Sequence, residues 1–186
     1  LLTGNLCFPA HGAAIASGRR SSSSARRTIL GFNNKGVDLS DFLETNVDKF
    51  AFKVATDRFY NPEGVWAKEE NGRVRIGLSD FVQQHSGDVA FVEVKAVGTE
   101  VDFGDEVASI ETIKVNISLI SPASGKIIEV NPAMSATPEV INQDPFGAGW
   151  LAVIEPVDWE AEKARLLDPQ AYFAKMKQEA ELAVKK

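Results

Sequence analysis

The sequence predicts a mainly β protein with short helices and a helical C-terminal tail. Residues 66–77 read as a hairpin because Asn71-Gly72, the pair that most strongly favours a tight hairpin turn, lies between two strand-like segments. Apolar, strand-like runs on either side of residue 113 predict a second hairpin over residues 104–120. With 44% hydrophobic and 25% charged residues, the composition is typical of a globular protein with a core.

Residues 1–28 are predicted to be a disordered or targeting-like segment. They are rich in serine, alanine, glycine and arginine, include a run of four serines at 21–24, and contain no acid. This composition is typical of an organellar transit peptide, and fits an artefact of upstream translation or a cloning remnant equally well. We predict a cytoplasmic protein. The mitochondrial matrix is the alternative if residues 1–28 are a transit peptide.

The charge distribution and the scarcity of cysteine and histidine exclude several classes of function. Residues 1–37 carry five basic residues and no acid, whereas the whole chain has a net charge of −6, so residues 38–186 carry −11. Such an acidic body would repel the phosphates of nucleic acid. No apolar run is long enough to cross a bilayer. Cys7, His11 and His85 are too few and too scattered for a disulfide framework or a metal site.

Residues 29–56 are predicted to be an N-terminal extension with a short helix. The helix is expected over residues 37–50, capped by Asp38 or Ser40, and a short strand is expected over residues 51–57. The helix prediction rests on an apolar stripe at helical spacing, which comprises Leu39, Phe42, Leu43 and Val47.

Residues 57–156 are predicted to form the main β domain. Within it, Ser79 is a plausible N-cap of a brief helix over residues 79–86 that Gly87 ends. Further strands are expected at 89–94, 126–130 and 151–154, and Trp150 opens the last of them.

Residues 157–186 are predicted to be C-terminal helices. Asp158 caps a first helix that continues to Leu167, and Asp168-Pro169 then starts a second helix with aspartate at the N-cap and proline at the first helical position. The second helix is expected to pack on the β domain through residues that recur at helical spacing, namely Phe173, Met176, Ala180 and Ala183.

The second predicted hairpin places Lys114 at or beside its tip, in solvent. A lysine held there offers a reachable primary amine that an enzyme could acylate. Lysines are nevertheless mostly exposed, and a lysine at a hairpin tip is usually no more than a turn residue. The residues around Lys114 must therefore decide between the two interpretations.

Those residues resemble the lipoyl-carrier fold, and in particular the H-protein family of the glycine cleavage system. The segment Glu111-Thr112-Ile113-Lys114-Val115 is similar to the Glu-Ser-Val-Lys-Ala type of sequence around the lipoylated lysine of that family. Ile113 and Val115 replace the methionines that flank the lysine of biotin carriers, which favours lipoate over biotin. Three further segments carry the resemblance: Gly104-Asp105 before the lysine, the Ser-Pro-x-Ser-Gly segment at 121–125 after it, and residues 144–151, which are similar to Asp-Pro-Tyr-Gly-x-Gly-Trp-Leu.

The resemblance implies a fold, a cofactor and a set of partners. The fold is a lipoyl-domain-like β sandwich or flattened barrel of two similar halves, with lipoate attached to Lys114 at one end. The protein would be a monomeric carrier rather than an enzyme. It would move an aminomethyl group between glycine decarboxylase, aminomethyltransferase and dihydrolipoyl dehydrogenase, after modification by a lipoylating enzyme. Glu111 would help that enzyme to recognise the lysine, and the cleft for the loaded arm would involve Ser79, Asp80 and Asn142.

One segment departs from the family pattern. H proteins carry His-Glu-Trp shortly after a tyrosine, and alignment on Tyr60 and Trp66 puts Gly64 and Val65 where the histidine and the glutamate stand. Because valine cannot accept a hydrogen bond from a charged amine, we expect weaker retention of the aminomethyl group, which Val65→Glu should prolong. An H-protein-like lipoate carrier of another pathway, such as sulfur oxidation with heterodisulfide-reductase-like enzymes, therefore stays open. An unmodified interaction domain is a third possibility.

Overall fold

The computed structural model describes residues 41–185, so the segment predicted at 1–28 and the start of the extension lie outside the described residues. Eleven strands and five helices form the described part of the chain. In chain order they are β1 (Phe42–Val47), β2 (Phe50–Ala55), β3 (Phe59–Tyr60), β4 (Val65–Glu70), β5 (Arg73–Leu78), α1 (Asp80–Ser86), β6 (Val89–Val94), β7 (Glu100–Val101), β8 (Glu106–Thr112), β9 (Asn116–Ile120), β10 (Gly125–Val130), α2 (Ala133–Ala136), α3 (Val140–Gln143), β11 (Trp150–Pro156), α4 (Trp159–Lys163) and α5 (Pro169–Val184).

The strands form three antiparallel sheets. The largest has six strands in the order β3-β4-β5-β11-β10-β7, a second has the order β6-β8-β9, and β1 pairs with β2 in a separate hairpin. The main core contains residues of both larger sheets, including Val74, Ile76 and Ile154 from the first and Val92 and Ile110 from the second. Because alternate strand residues face the same side, each sheet contributes one apolar face to this core. The predicted mainly β fold is confirmed.

The hairpin predicted from Asn71-Gly72 is confirmed. The two residues connect β4 to β5, with Glu70 and Arg73 paired across the turn. Both turn residues have positive φ, 55° for Asn71 and 75° for Gly72. Asparagine and glycine tolerate this conformation better than other residues, so the local sequence alone fixes the turn and the register of the strands behind it.

The predicted helix over residues 37–50 is wrong in the described part of that range. Phe42–Val47 is strand β1, which pairs with β2 in register from Phe42 opposite Ala55 to Val47 opposite Phe50. Asp48, with φ of 54°, makes the intervening two-residue turn possible. The segment is too short for its apolar spacing to distinguish a helix from a strand, and pairing with the predicted strand over 51–57, observed as β2, decides the outcome.

The C-terminal helices differ from the prediction in length and in the residues that they bury. Helix α4 ends at Lys163 rather than Leu167, because the backbone of Leu167 exchanges hydrogen bonds of 2.8 and 2.9 Å with that of Tyr60. Helix α5 begins as predicted, with the Asp168 carboxylate accepting a hydrogen bond of 2.8 Å from the Ala171 amide. No helix within 41–185 is long and apolar enough to span a membrane.

Helix α5 packs on a second cluster of buried residues rather than on the main core. Of the predicted stripe, Met176 and Ala180 are buried, Phe173 is half-buried and Ala183 is exposed, whereas the buried Tyr172 was not predicted. Their partners come from the β1–β2 hairpin and the neighbouring strands, and the cluster includes Val47, Phe52, Val54, Tyr60, Trp66 and Phe81. The hairpin and α5 thus form one layer beside the sandwich.

Candidate functional site

Lys114 lies at the tip of the β8–β9 hairpin, as the sequence predicted. Strand β8 ends at Thr112 and β9 begins at Asn116, which leaves Ile113, Lys114 and Val115 as the turn. The Thr112 hydroxyl oxygen accepts hydrogen bonds from the backbone amides of Lys114 at 3.2 Å and Val115 at 3.0 Å. The hydroxyl also donates to the Val115 carbonyl at 3.0 Å. One threonine side chain therefore holds the turn that presents the lysine.

The residues that flank Lys114 are apolar and unusually exposed. Ile113 has 84% and Val115 has 49% of its surface in solvent. Glu111 is also exposed, and it pairs in register with Asn116 on the opposite strand. Large apolar side chains on both sides of an exposed lysine provide a contact surface for a protein that binds the tip.

The Lys114 side chain lies along the protein surface. Among residues 41–185 its amine has no hydrogen-bond or salt-bridge partner. A β-carbon placed on Gly87 would be 3.6 Å from Lys114 Cδ, 3.5 Å from Cε and 3.7 Å from Nζ. The aliphatic stem therefore passes within van der Waals distance of the end of α1, where any larger residue at position 87 would touch it. Within the described residues, no side chain therefore has to be displaced before the amine reacts.

Asn142, which was predicted to belong to the arm cleft, lies directly beneath this point. Its side-chain oxygen accepts a hydrogen bond from the Val89 amide at 2.9 Å, and its nitrogen donates to Gln83 Oε1 at 2.9 Å and to the Gly87 carbonyl at 3.3 Å. One amide thus fixes α3, the end of α1 and the start of β6 to each other. The backbone against which the Lys114 stem lies is held in place by these bonds.

Asp80 is buried and fully engaged at the start of α1. One carboxylate oxygen accepts a hydrogen bond from the Lys53 amide at 2.9 Å. The other accepts from Gln83 Nε2 at 2.8 Å and from Gln84 Nε2 at 3.0 Å. Gln84 also donates to the Ala51 carbonyl at 2.9 Å. These bonds connect the β1–β2 hairpin to α1. They also occupy both carboxylate oxygens of Asp80, so its burial is explained without a bound ligand.

Ser79 is fully buried and faces away from solvent. Its hydroxyl lies 2.7 Å from the Tyr172 hydroxyl and caps α1 by accepting a 3.4 Å bond from the Val82 amide. Burial raises the pKa of Tyr172, and the hydrogen bond from Ser79 opposes that rise. The structure brings Ser79 and Asp80 together at the N-terminus of α1 and Asn142 to its C-terminal end. A role for the three residues in an arm cleft stays a prediction.

The two residues that depart from the family pattern lie in the interior. Gly64 has φ of 88°, and a β-carbon there would lie 2.5 Å from Val82 Cγ2, 2.8 Å from the Tyr172 hydroxyl and 2.9 Å from Ser79 Oγ. Val65 is fully buried in the main core and pairs with Leu78 across β4 and β5. A β-carbon at position 64 would force its neighbours to move, and a polar side chain at position 65 would be enclosed by the apolar core.

A groove of about 410 Å³ begins at Lys114 and runs alongside α1. One wall is the turn of the β1–β2 hairpin, the second is α1, and the third is the last turn of α5. Aromatic and aliphatic side chains contribute much of the lining, and Phe50 keeps 44% of its surface exposed there. No pattern in the sequence predicted this groove, because its walls come from segments far apart in the chain.

No metal centre is formed by the described residues. Within 41–185, no three side chains of the metal-binding types lie close enough together to share an ion. His85 instead stacks on Phe81 with 5.6 Å between ring centroids.

Comparisons with known proteins agree on one family. The family model described as glycine cleavage H-protein matches residues 58–179. The glycine cleavage system H protein of Oceanobacillus iheyensis is 40% identical over 118 residues, which are 63% of this chain and 93% of that protein. That of Thermus thermophilus is 39% identical over 127 residues, or 68% of this chain and 98% of that protein. A crystal structure of a glycine cleavage system H protein from Mycobacterium marinum superposes with a TM-score of 0.59 at 32% identity, covering 66% of this chain and 98% of that one.

Proposed function

Because this chain belongs to the glycine cleavage H-protein family, we propose that it is a carrier whose lipoate is attached through an amide to Lys114 Nζ. In this role it moves an aminomethyl group between glycine decarboxylase, aminomethyltransferase and dihydrolipoyl dehydrogenase. Catalysis belongs to those partners and to the lipoylating enzyme, and the carrier itself is not an enzyme. When bound, lipoate would supply a disulfide that opens to carry the transferred group on one of its two sulfurs.

The observation that carries the proposal is the placement of Lys114. The residue lies at a tip whose backbone Thr112 holds by side-chain hydrogen bonds, and its amine has no charged partner within residues 41–185. An acyl transfer enzyme needs an amine that it can enclose without first breaking an ion pair. The chain therefore offers a fixed stem and a free nucleophile, and the residues present fit a covalent lipoyl group.

Recognition by the lipoylating enzyme is proposed to use the exposed residues of the same tip. Ile113 and Val115 provide apolar contact area on both sides of the lysine. Glu111 is exposed near the end of β8 and provides one negative charge, which a basic residue of the enzyme could bind. In this proposal the two apolar side chains bury surface against the enzyme, and the Glu111 carboxylate orients the tip in its binding site.

The proposed arm cleft uses Asn142, Asp80 and Ser79 in different ways. Asn142 fixes the Gly87 backbone next to the Lys114 stem, and it is the one of the three that lies near the lysine through a described contact. Asp80 and Ser79 hold the N-terminus of α1 through the bonds described above. We assign them a positioning role, because their polar atoms are already satisfied by the chain itself.

The acidic body and the small size of the carrier bear on its partners. Residues 38–186 carry a net charge of −11, which would steer the carrier towards basic patches on the enzymes that it visits. A carrier that must present one tip to several active sites works as a monomer, which light scattering would check. We propose a cytoplasmic location, or the mitochondrial matrix if residues 1–28 are a transit peptide.

A second candidate function is that of an H-protein-like lipoate carrier in another pathway, such as sulfur oxidation with heterodisulfide-reductase-like enzymes. The observation that favours it is that positions 64 and 65 are buried and carry no polar side chain. Gly64 leaves no space for a side chain, and Val65 is enclosed by the core, so neither position presents a polar group to a charged amine. Both candidates require lipoate on Lys114, and they differ in what the arm then carries.

The test of the proposed function begins with the modification itself. The full chain is incubated with a lipoylating enzyme and lipoate, and intact mass and peptide mapping locate the lipoyl group. We expect modification at Lys114 alone, its loss in Lys114→Arg, and no change in the matched variant Lys126→Arg, which alters an exposed lysine on β10. Lipoate on another lysine, or none on any, would exclude both candidates.

The two candidates are separated in a second step. The lipoylated chain is supplied with glycine, glycine decarboxylase and isotope-labelled bicarbonate, and exchange of label into glycine is followed. Exchange that needs Lys114 supports the glycine cleavage role. Full lipoylation without exchange would support the carrier of another pathway.

A further inference from the structure

The three-stranded sheet that presents Lys114 has one face that is open to solvent. Val92, Ile110 and Leu119, one from each strand, belong to the main core. Because successive residues of a strand face opposite sides, the positions between such core residues point away from the core. We call these positions the outer face, and they comprise Phe91, Glu93, Ser109, Glu111, Asn116 and Ser118. All are exposed except Ser109, which is half-buried.

Strand pairing arranges the outer face in two rows. In the row next to the turn, Phe91 on β6 lies opposite Glu111 on β8, and Glu111 lies opposite Asn116 on β9. The second row, two residues farther from the turn, comprises Glu93, Ser109 and Ser118. Side chains of directly opposed residues are neighbours, so the phenyl ring of Phe91 lies beside the Glu111 carboxylate. The outer face is therefore continuous with the turn that carries Lys114.

Phe91 is a large aromatic side chain that the fold leaves in solvent. It exposes 51% of its surface, and within residues 41–185 its ring stacks on no other ring. Ile113 and Val115, in the turn itself, expose 84% and 49%. Exposed aromatic residues are enriched among those that contribute most to binding at protein interfaces. Phe91 thus extends the apolar surface of the tip onto the neighbouring strand.

The acidic side chains near Phe91 have no basic partners in the described part of the chain. Asp88, Glu93 and Glu111 are exposed, and none of them forms a salt bridge within residues 41–185. Asp88 precedes β6 at the end that pairs with Thr112, close to the turn. Three uncompensated negative charges around an exposed aromatic ring complement a partner that has an apolar pocket bordered by basic residues.

The place of the outer face favours one of the proposed partners. An enzyme that acylates Lys114 Nζ must enclose the lysine itself, so its contacts fall on the residues nearest to the turn. A partner that reacts at the far end of an attached lipoyl group is separated from the lysine by the length of that group. Such a partner has less need of contacts directly behind the turn. The outer face therefore suits the enzyme that attaches lipoate.

We propose that Phe91 is a specificity-determining residue for the lipoylating enzyme, which docks on the outer face with a pocket for the ring and basic residues opposite Glu93 and Glu111. This inference rests on the proposed function, because it requires Lys114 to be the modified residue. The enzyme supplies lipoate as an acyl adenylate. Nζ attacks the carbonyl carbon, the amide bond forms, AMP leaves and Nζ loses a proton. Phe91 acts in binding and not on these atoms.

The experiment measures lipoylation of full-chain variants by a lipoate–protein ligase supplied with lipoate and ATP. Phe91→Ala should raise KM for the carrier about tenfold and leave kcat unchanged, because it removes binding that is equal in the ground state and the transition state. Phe91→Tyr keeps the ring and should restore most of the affinity. Val97→Ala is the matched control, since that valine is 60% exposed beyond the other end of β6, and its KM should not change.

The charge of the outer face is tested through its salt dependence. Glu93→Gln should lower kcat/KM severalfold at low ionic strength, and the difference from the unaltered chain should shrink as salt is added. Glu106→Gln is the matched control at the far end of β8, and its effect should be smaller. Thermal unfolding confirms that each variant keeps its fold.

Two outcomes separate this inference from the proposed function. Lipoylation of Lys114 with the same KM in Phe91→Ala as in the unaltered chain would overturn the inference and leave the proposed function standing. Absence of lipoate from Lys114 in the unaltered chain would overturn both.

Discussion

The hydroxyl groups of Ser79 and Tyr172 lie 2.7 Å apart and share a buried hydrogen bond that joins α1 to α5. Tyr172 also stacks on Tyr60 with 4.2 Å between ring centroids. The tyrosine thereby fills the volume beside Gly64 and holds the C-terminal helix against the N-terminus of α1. Because α1 and α5 form two walls of the groove at Lys114, this buried bond helps to hold those walls in position.

The Ser79–Tyr172 bond can be measured by a double-mutant cycle. Tyr172→Phe leaves the Ser79 hydroxyl without its tyrosine partner, and we expect a loss of about 1 kcal/mol in the free energy of unfolding. Ser79→Ala should cost a similar amount, with an added contribution from the lost N-cap. Urea denaturation of both single variants and the double variant gives the coupling energy. Coupling near zero would show that the two hydroxyls do not stabilise each other.

Gly64 should tolerate substitution far less well than Gly72. Both have positive φ, at 88° and 75°, so alanine is strained at each, but only at Gly64 would the new β-carbon meet neighbours within 3 Å. We expect Gly72→Ala to cost about 1 kcal/mol from the backbone alone. Gly64→Ala should cost roughly 3 kcal/mol or more, because Val82 and Tyr172 must move. Equal losses in thermal or urea denaturation would indicate that the interior beside Gly64 adapts freely.

The two buried tyrosines predict a loss of stability at high pH. Burial raises the pKa of Tyr60, which the charge of Arg58 opposes, and burial likewise raises that of Tyr172. A group whose pKa is raised by folding stabilises the native state below its unfolded pKa, near about 10 for tyrosine, and that stability is lost as the pH rises further. The slope should be about 1.4 kcal/mol per pH unit for each tyrosine.

Tyr172→Phe provides the control for this pH dependence. Removing one of the two phenols should reduce the slope of unfolding free energy against pH by the contribution of one tyrosine, up to about 1.4 kcal/mol per pH unit. The slope is measured by urea denaturation between about pH 9 and about pH 11. Lysines also titrate in this range and contribute equally to both proteins. An unchanged slope would mean that Tyr172 ionises as readily in the folded chain as in the unfolded one.

The sequence predicted those features that depend on a few neighbouring residues. Asn71-Gly72 specified its hairpin, Ser79 and Asp168 capped their helices, and Lys114 lay at the predicted tip. Each depends on local backbone preferences that are the same in any fold. The motif around Lys114 was also informative because it is contiguous in the chain.

What the sequence did not reveal depends on contacts between distant segments. Residues 42–47 form a strand because β2 pairs with them, and their own spacing cannot show this. The Lys114 stem lies against Gly87, which precedes it by a strand and a loop and which local sequence could not place there. The groove likewise combines residues from both ends of the described chain. The sequence predicted Ser79 as a helix cap but could not show its contact with Tyr172, 93 residues away.

Val65 stands where the family pattern has a glutamate, and its burial determines what a glutamate there would do. The expectation that Val65→Glu prolongs retention of a charged amine assumed a side chain within reach of the arm. Val65 is instead fully buried in the main core, opposite Leu78. A carboxylate introduced there would have no polar partner supplied by the core, so we expect a loss of roughly 3 kcal/mol or more in the free energy of unfolding.

The pH dependence of the Val65→Glu variant tests the cause of this loss. Burial should raise the pKa of the new carboxyl, so its neutral form is the one the fold tolerates. The variant is then least destabilised below the unfolded pKa of about 4, and the loss grows as the pH rises through the folded pKa. Val157→Glu is the matched control, because that valine is 82% exposed, and it should lose little stability at any pH. If Val65→Glu is as stable as Val157→Glu and its loss is independent of pH, position 65 opens to solvent, and a glutamate there could reach the arm after all.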